Sequence, residues 1–166
     1  MPLVIATFEW LEGLAWTTML RESPYGYPLI ETSHVACIVL FAGLVIMMDL
    51  RLVGLAFTNA PLAQIQRRLF PWQMATFVPS MATGILLFCV DPLRYYRNVL
   101  FLAKLLFLVL AGLNALAFHL KTYRRADGWD EDPQAITTAR LAGTASLVLW
   151  SLLIVTSRLI PNNWFK

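Results

Sequence analysis

Residues 31–49 read ETSHVACIVLFAGLVIMMD, and this stretch decides the fold. Between His34 and Asp49 every side chain from Val35 to Met48 is uncharged, and most are large and apolar. A helix rises 1.5 Å per residue, so about 20 mostly apolar residues cross a hydrocarbon core of roughly 30 Å. Followed outward, the apolar character runs from about Ile30 to Phe57. Three further stretches have the same quality. Phe70–Val90 contains no charge, Asn98–Leu120 is interrupted by Lys104 and His119, and Leu141–Ile160 carries Arg158 near its end. Spans of a β-barrel would alternate in polarity at every second residue, and these do not. The sequence therefore predicts an all-α integral membrane protein. With short connections, it is a single domain over residues 1–166 built as an up-down-up-down four-helix bundle.

Composition agrees. The chain is 58% hydrophobic and 14% charged, against about a quarter charged in soluble domains. A net charge of +3 with no basic patch interleaved with aromatics gives no nucleic-acid signal. Cys37 and Cys89 both fall within spans, which argues for small apolar packing residues and against a disulfide. Small residues such as Ala42, Gly43, Gly84, Ala111 and Gly112 let helices approach closely, and Pro79 is a kink site in the second span.

Ahead of the first span, Val4, Phe8, Leu11, Ala15 and Thr18 fall at helical spacing beside Trp10 and Trp16. This predicts an amphipathic interfacial helix over about residues 3–21. Glu9 and Glu12, with no basic n-region, argue against a cleavable signal peptide. Residues 23–28 read as a turn bearing interfacial tyrosines. Orientation follows from the short loops. Arg51, Arg67, Arg68, Lys121, Arg124, Arg125 and Arg140 lie on one side, against Arg21, Arg94, Arg97, Arg158 and Lys166 on the other. The richer side is expected to be cytoplasmic, with both termini periplasmic. The acidic stretch 126–134 reads as a solvated turn.

Titratable side chains at membrane depth are costly, about 2.5–3.5 kcal/mol even on the lenient insertion scale, and mark candidate sites. His34 and Lys104 sit at similar depth in spans one and three, with Glu31 one turn from His34. Fifteen residues further inward on each helix come Asp49 and His119, roughly 22 Å along the axis. The spacing thus predicts an outer layer of Glu31, His34 and Lys104, and an inner layer of Asp49 and His119 flanked by Arg51 and Asn114. Each residue also has a plain structural role open to it. Lys104 can snorkel outward to Glu31, His119 can hydrogen-bond to Asp49, and Asp49 with Arg51 can anchor the inner boundary. The two histidines lie too far apart to clamp one haem between them. His34 is instead a candidate axial ligand, with Lys104 as a second ligand or as partner to a propionate. His119 is a candidate metal ligand at an inner site, oriented by Asp49, with Met47 or Met48 as a soft neighbour. Cys37 and Cys89 lack the clustered Met or Cys pattern of a dedicated copper site. No phosphate-cradling loop, zinc spacing or nucleophile-plus-base set is present.

Taken as sets, Glu31-Thr32-Ser33-His34-Val35, Asp49-Leu50-Arg51-Leu52-Val53-Gly54-Leu55, Thr83-Gly84 to Phe88, and Lys104 through Asn114 to Phe118-His119 resemble an uncharacterised family of bacterial inner-membrane proteins, a domain of unknown function. The likeness covers nearly the whole chain, with Trp10-Leu11-Glu12 and Leu149-Trp150 to Arg158-Leu159-Ile160, and implies a bacterial inner-membrane location but no activity. His34 and Lys104 are also similar in placement to residues of the four-helix, haem-containing protoporphyrinogen oxidases, and the helix count is similar to that of the copper-resistance membrane domains. The leading expectation is a haem-b-binding membrane protein with a redox or electron-transfer role. The alternative is a non-catalytic accessory subunit of a larger membrane complex, or of a homo-oligomer, in which the polar layers are inter-helix glue. A proton relay through Glu31, His34, Asp49 and His119 is disfavoured by the apolar gap of roughly 22 Å between the layers.

Overall fold

The computed structural model describes residues 2–122 and 133–162, and these are helical throughout apart from short connections. The helices are α1 (Pro2–Glu12), α2 (Ala15–Glu22), α3 (Gly26–Val53), α4 (Leu62–Val90), α5 (Pro92–Tyr96), α6 (Val99–Thr122) and α7 (Pro133–Leu159), closed by a 3-10 turn at Ile160–Asn162. Four of them, α3, α4, α6 and α7, are long and apolar enough to cross a bilayer, with mean hydropathies of 2.3, 1.6, 2.3 and 1.6. The chain is a multi-pass membrane protein whose apolar flanks face lipid. Arg124, Arg125, Lys166 and most of the acidic stretch 126–134 lie outside the described residues.

The helix ends depart from the hydropathy boundaries for local reasons. α3 begins at Gly26 because the Ser23 hydroxyl accepts the Gly26 N–H at 2.9 Å, and Pro28 in the first turn removes no needed donor. It ends where Gly54 turns left-handed (φ 87°) and closes its N–H onto the Leu50 and Arg51 carbonyls. Residues 55–57 therefore fall outside the span. α4 starts at Leu62, eight residues before the expected 70, so exposed Arg67 and Arg68 ride on its first turns. It also tolerates Pro71 and Pro79. Thr76 and Thr83 hydroxyls bond back to carbonyls of the preceding turn, and Gln73 donates across to the Leu44 carbonyl at 3.2 Å.

The expected interfacial helix is two helices. Gly13 and extended Leu14 (φ −67°, ψ 141°) break it. The fully buried Thr17 hydroxyl stitches the break, lying 2.7 Å from the Leu14 carbonyl and 2.9 Å from that of Leu11. This pair clasps one end of the bundle. Arg21 donates to the Val90 carbonyl at the end of α4 (3.2 Å), and the Glu12 carboxylate accepts the Leu93 N–H of α5 (3.4 Å). Phe8 meets Phe88 and Tyr96 edge-on. Beside it, buried Asn98 caps α6 by accepting the Leu100 N–H at 2.9 Å and donates to the Ile160 carbonyl at 3.1 Å. Tyr27 and Tyr95 share a hydroxyl hydrogen bond of 3.2 Å.

The four long helices form a ring closed on three sides: α3 packs on α4 and on α7, and α7 packs on α6. One apolar cluster joins Phe41, Ala42, Ala111, Trp150 and Leu153; a second, toward the far end, joins Met48, Leu52, Leu62 and Ala139. Phe41 sits between Phe77 and Trp150, with ring centroids 5.2 and 5.3 Å away. α3 and α7 meet closely at Gly143, where an added Cβ would stand 2.8 Å from Leu52 Cβ and 3.1 Å from the Asp49 carbonyl. The fourth side is different. α4 and α6 have no comparable contact, and are bridged near the clasp by the Phe88–Phe101 stack (5.7 Å, 7°). α6 is the least covered span, with 6% of its apolar stretch buried against 17% or 28% in the others.

Two outcomes follow. Gly143→Ala overpacks the α3–α7 contact and destabilises the bundle by about 1–3 kcal/mol, whereas Gly112→Ala, with nothing within 4 Å of its new Cβ, is neutral or stabilising by up to about 1 kcal/mol. Unfolding in a denaturing-detergent titration reads both. Burial first, and then the Tyr27 hydroxyl, hold the Tyr95 phenol above the usual tyrosine range. Its contribution to stability is therefore complete below a pH of about 10 and is lost as the pH rises further, because the unfolded chain ionises first. Tyr95→Phe flattens that alkaline loss in a pH series of the same titration.

Candidate functional site

His34 lies two turns into α3, and its ring is seated against α4. Because a carbonyl can only accept, the 3.0 Å contact between Nδ1 and the Ser80 carbonyl makes Nδ1–H the donor. The Thr83 oxygen stands 3.1 Å from the same nitrogen, while its own hydroxyl donates back to the Pro79 carbonyl at 2.7 Å. In the neutral imidazole this bond leaves the lone pair on Nε2. No hydrogen bond to Nε2 exists among the described residues. The seat requires Gly84: a Cβ there would lie 3.0 Å from His34 Cε1 and 3.5 Å from Nδ1.

Ser80, Thr83 and Gly84 follow one another at positions i, i+3 and i+4, so they share a face of α4. Sequence reasoning gave none of them a part in the site. The hydroxyl-hydroxyl-glycine pattern directly after Pro79 was the available signal.

The charged groups whose fields reach His34 are Lys104 on α6 and Glu31 on α3. Glu31 and His34 share α3 and Lys104 lies on α6, and Lys104 forms no ion pair with Glu31. Glu31 is exposed and Lys104 half-buried. Among the described residues the Lys104 ammonium has no carboxylate within 4 Å and no hydrogen bond.

The inner layer assembles differently from the expectation. Asp49 is 4% exposed and turns toward α7, where Ser146 is the polar side chain that faces it. It makes no pair with His119, and its Oδ2 has no hydrogen-bond partner among the described residues. His119 is exposed on α6 and has an interaction of its own. Asn114 donates to the Ala142 carbonyl of α7 at 2.9 Å. Arg51 donates twice to the Ala60 carbonyl, at 3.2 and 3.0 Å, and so anchors the α3–α4 connection. Met48 is part of the second apolar cluster and Met47 is exposed. Cys37 and Cys89 are free and half-buried.

No three His, Cys, Asp or Glu side chains converge among the described residues. A bare metal ion, which takes four or more ligands in closed protein sites, has no such cage among the described residues. A single oriented imidazole suits instead a metal that brings its own equatorial ligands. The hydrogen bond from Nδ1 to a backbone carbonyl is the outer-shell arrangement that orients a ligating histidine and raises its basicity. The chain matches no established protein family, no curated protein and no solved structure.

Gly84→Ala should displace the His34 ring and weaken its bond to Ser80. The chain has two histidines, so spectra of 15N-histidine-labelled protein read this directly. Wild type is expected to show one imidazole held as the Nδ1–H form, and the substitution to disturb that signal while leaving the His119 signal in place.

Proposed function

We propose that the protein binds haem b in the membrane and serves a redox or electron-transfer role, with His34 as the axial ligand. One observation carries this reading: an imidazole at membrane depth whose Nδ1 is tied to the Ser80 carbonyl while Nε2 has no protein partner among the described residues. A bound haem supplies one-electron exchange at its iron. The protein's share is to orient the imidazole through Ser80, to leave its ring room at Gly84, and to surround the iron with a low dielectric. The resemblance to bacterial inner-membrane proteins and the excess of Lys and Arg at the far end support a bacterial inner-membrane location with the clasped end periplasmic.

A second reading, an accessory subunit or homo-oligomer, draws on the bare flank of α6. Leu102, Leu106, Val109, Leu113, Leu116 and Leu120 alternate at spacings of four and three, and each is between 46% and 58% exposed. That is the stripe along which a second helix packs.

Protein purified in mild detergent from haem-supplied cells tests the first reading. The expected result is a Soret band that shifts on dithionite reduction, is lost in His34→Ala and persists in His119→Ala. A wild-type sample with neither the band nor the reduction difference overturns it. A chromophore-free protein that co-purifies with a partner or a second copy would favour the accessory reading.

A further inference from the structure

We propose that Asp49 is a proton-binding site, occupied in the folded protein, so that this residue sits between α3 and α7 as a neutral carboxylic acid. The site is separate from His34 and does not rest on the haem reading. Asp49 is 4% exposed, and its Oδ2 has no hydrogen-bond partner among the described residues. Nor does it make an ion pair there. The packing explains this isolation. α7 comes against this turn of α3 at Gly143, where an added Cβ would stand 3.1 Å from the Asp49 carbonyl and 2.8 Å from Leu52 Cβ. One turn further along the same face of α7 is Ser146, itself 9% exposed. Met48 and Leu52, on either side of Asp49 along α3, belong to the second apolar cluster.

The charged groups at this end of the bundle are placed elsewhere. On α3 itself, Arg51 donates to the Ala60 carbonyl. On α4, Arg67 donates to the Ala63 carbonyl and Arg68 is exposed. On α7, the Arg140 guanidinium lies beside Gly54, past the end of α3. On α6, His119 is exposed and Asn114 is committed to the Ala142 carbonyl. An ionised carboxylate held out of water needs a counter-charge or several donors, and without them it bears its whole desolvation cost. A proton removes the charge itself. Hydronium gives one proton to the carboxylate and leaves as water, and no other bond changes. The acid so formed has a hydroxyl of its own, which can bond back to a carbonyl of the preceding turn, as the hydroxyls of Ser33 and Thr144 do. A metal cation would need more ligands than converge among the described residues. Proton occupancy is thereby tied to the α3–α7 contact, because the ionised form demands water that the close approach at Gly143 excludes.

Infrared spectra of the full-length protein in an ester-free detergent test the proposal. At neutral pH, wild type is expected to show the C=O stretch of a protonated carboxylic acid, moved by 13C-labelling of aspartate and absent in Asp49→Asn. Unfolding in a denaturing-detergent titration supplies a second measure. With Asp49 neutral in the folded state, the unfolded chain alone releases this proton above a pH of about 4. The unfolding equilibrium constant of wild type then rises about tenfold per pH unit relative to that of Asp49→Asn, until the folded acid itself ionises. A wild-type spectrum without the band, or with a band that aspartate labelling leaves in place, overturns the proposal, and neither result requires the variant to fold. Parallel pH curves for wild type and Asp49→Asn overturn it as well. A wild type that lacks the acid band and is stabilised by sodium chloride but not by choline chloride assigns the site to a metal cation instead, which also overturns it. The Soret band reads the haem proposal separately from all of these outcomes.

Discussion

The approach of α7 to α3 at Gly143 sets the geometry of everything else. With no side chain at that position, α7 rests against Leu52 and the Asp49 backbone. α3 then has one flank committed to α7 and another to α4. The commitment fixes which residues of α3 face which neighbour. It also leaves α6 attached chiefly to α7, which is why the ring has an uncovered side and why α6 is the most lipid-exposed span. In a bilayer no general hydrophobic force draws helices together, so small residues and polar contacts decide which pairs form. Gly143, Asn114 and Ser146 all act on α7 in this way.

Much of the fold was legible in the sequence because hydrophobic length is a strong signal. The four spans are where the apolar runs put them. Their ends were not legible, because ends depend on capping and not on hydropathy. Ser23, Gly54 and Asn98 each mark a boundary by a specific hydrogen bond or a left-handed turn. The N-terminal helix was read as one because its spacing is regular through Gly13. The break depends on Thr17 closing onto carbonyls that no periodicity reveals.

The site was legible in part. His34, Lys104 and Glu31 stood out as titratable groups near one end of α3 and α6. The pairing of Asp49 with His119 was expected from axial spacing alone. Fifteen residues at 100° each leave a net rotation of about 60°. On α3 that is enough to carry one residue to the α4 side and the other to the α7 side. Depth along a helix was therefore readable, and azimuth was not. The backbone carbonyl of Ser80 was invisible for a further reason: a main-chain acceptor has no letter of its own, and only its glycine and hydroxyl companions at Gly84 and Thr83 betray it.

The clasp has a bearing on how the molecule is made. The carbonyl that Arg21 grips belongs to Val90, 69 residues downstream. At about 5–20 residues per second, that acceptor appears roughly 3–14 seconds later. Throughout that interval α1 and α2 lack their partners on α4 and α5, which do not yet exist, and α2 has only its contacts with α3. Their exposed tryptophans, Trp10 and Trp16, are suited to hold them at the headgroup level meanwhile. The Arg21 latch thus closes only after the end of α4 has been made, so this docking follows the synthesis of the α3–α4 hairpin.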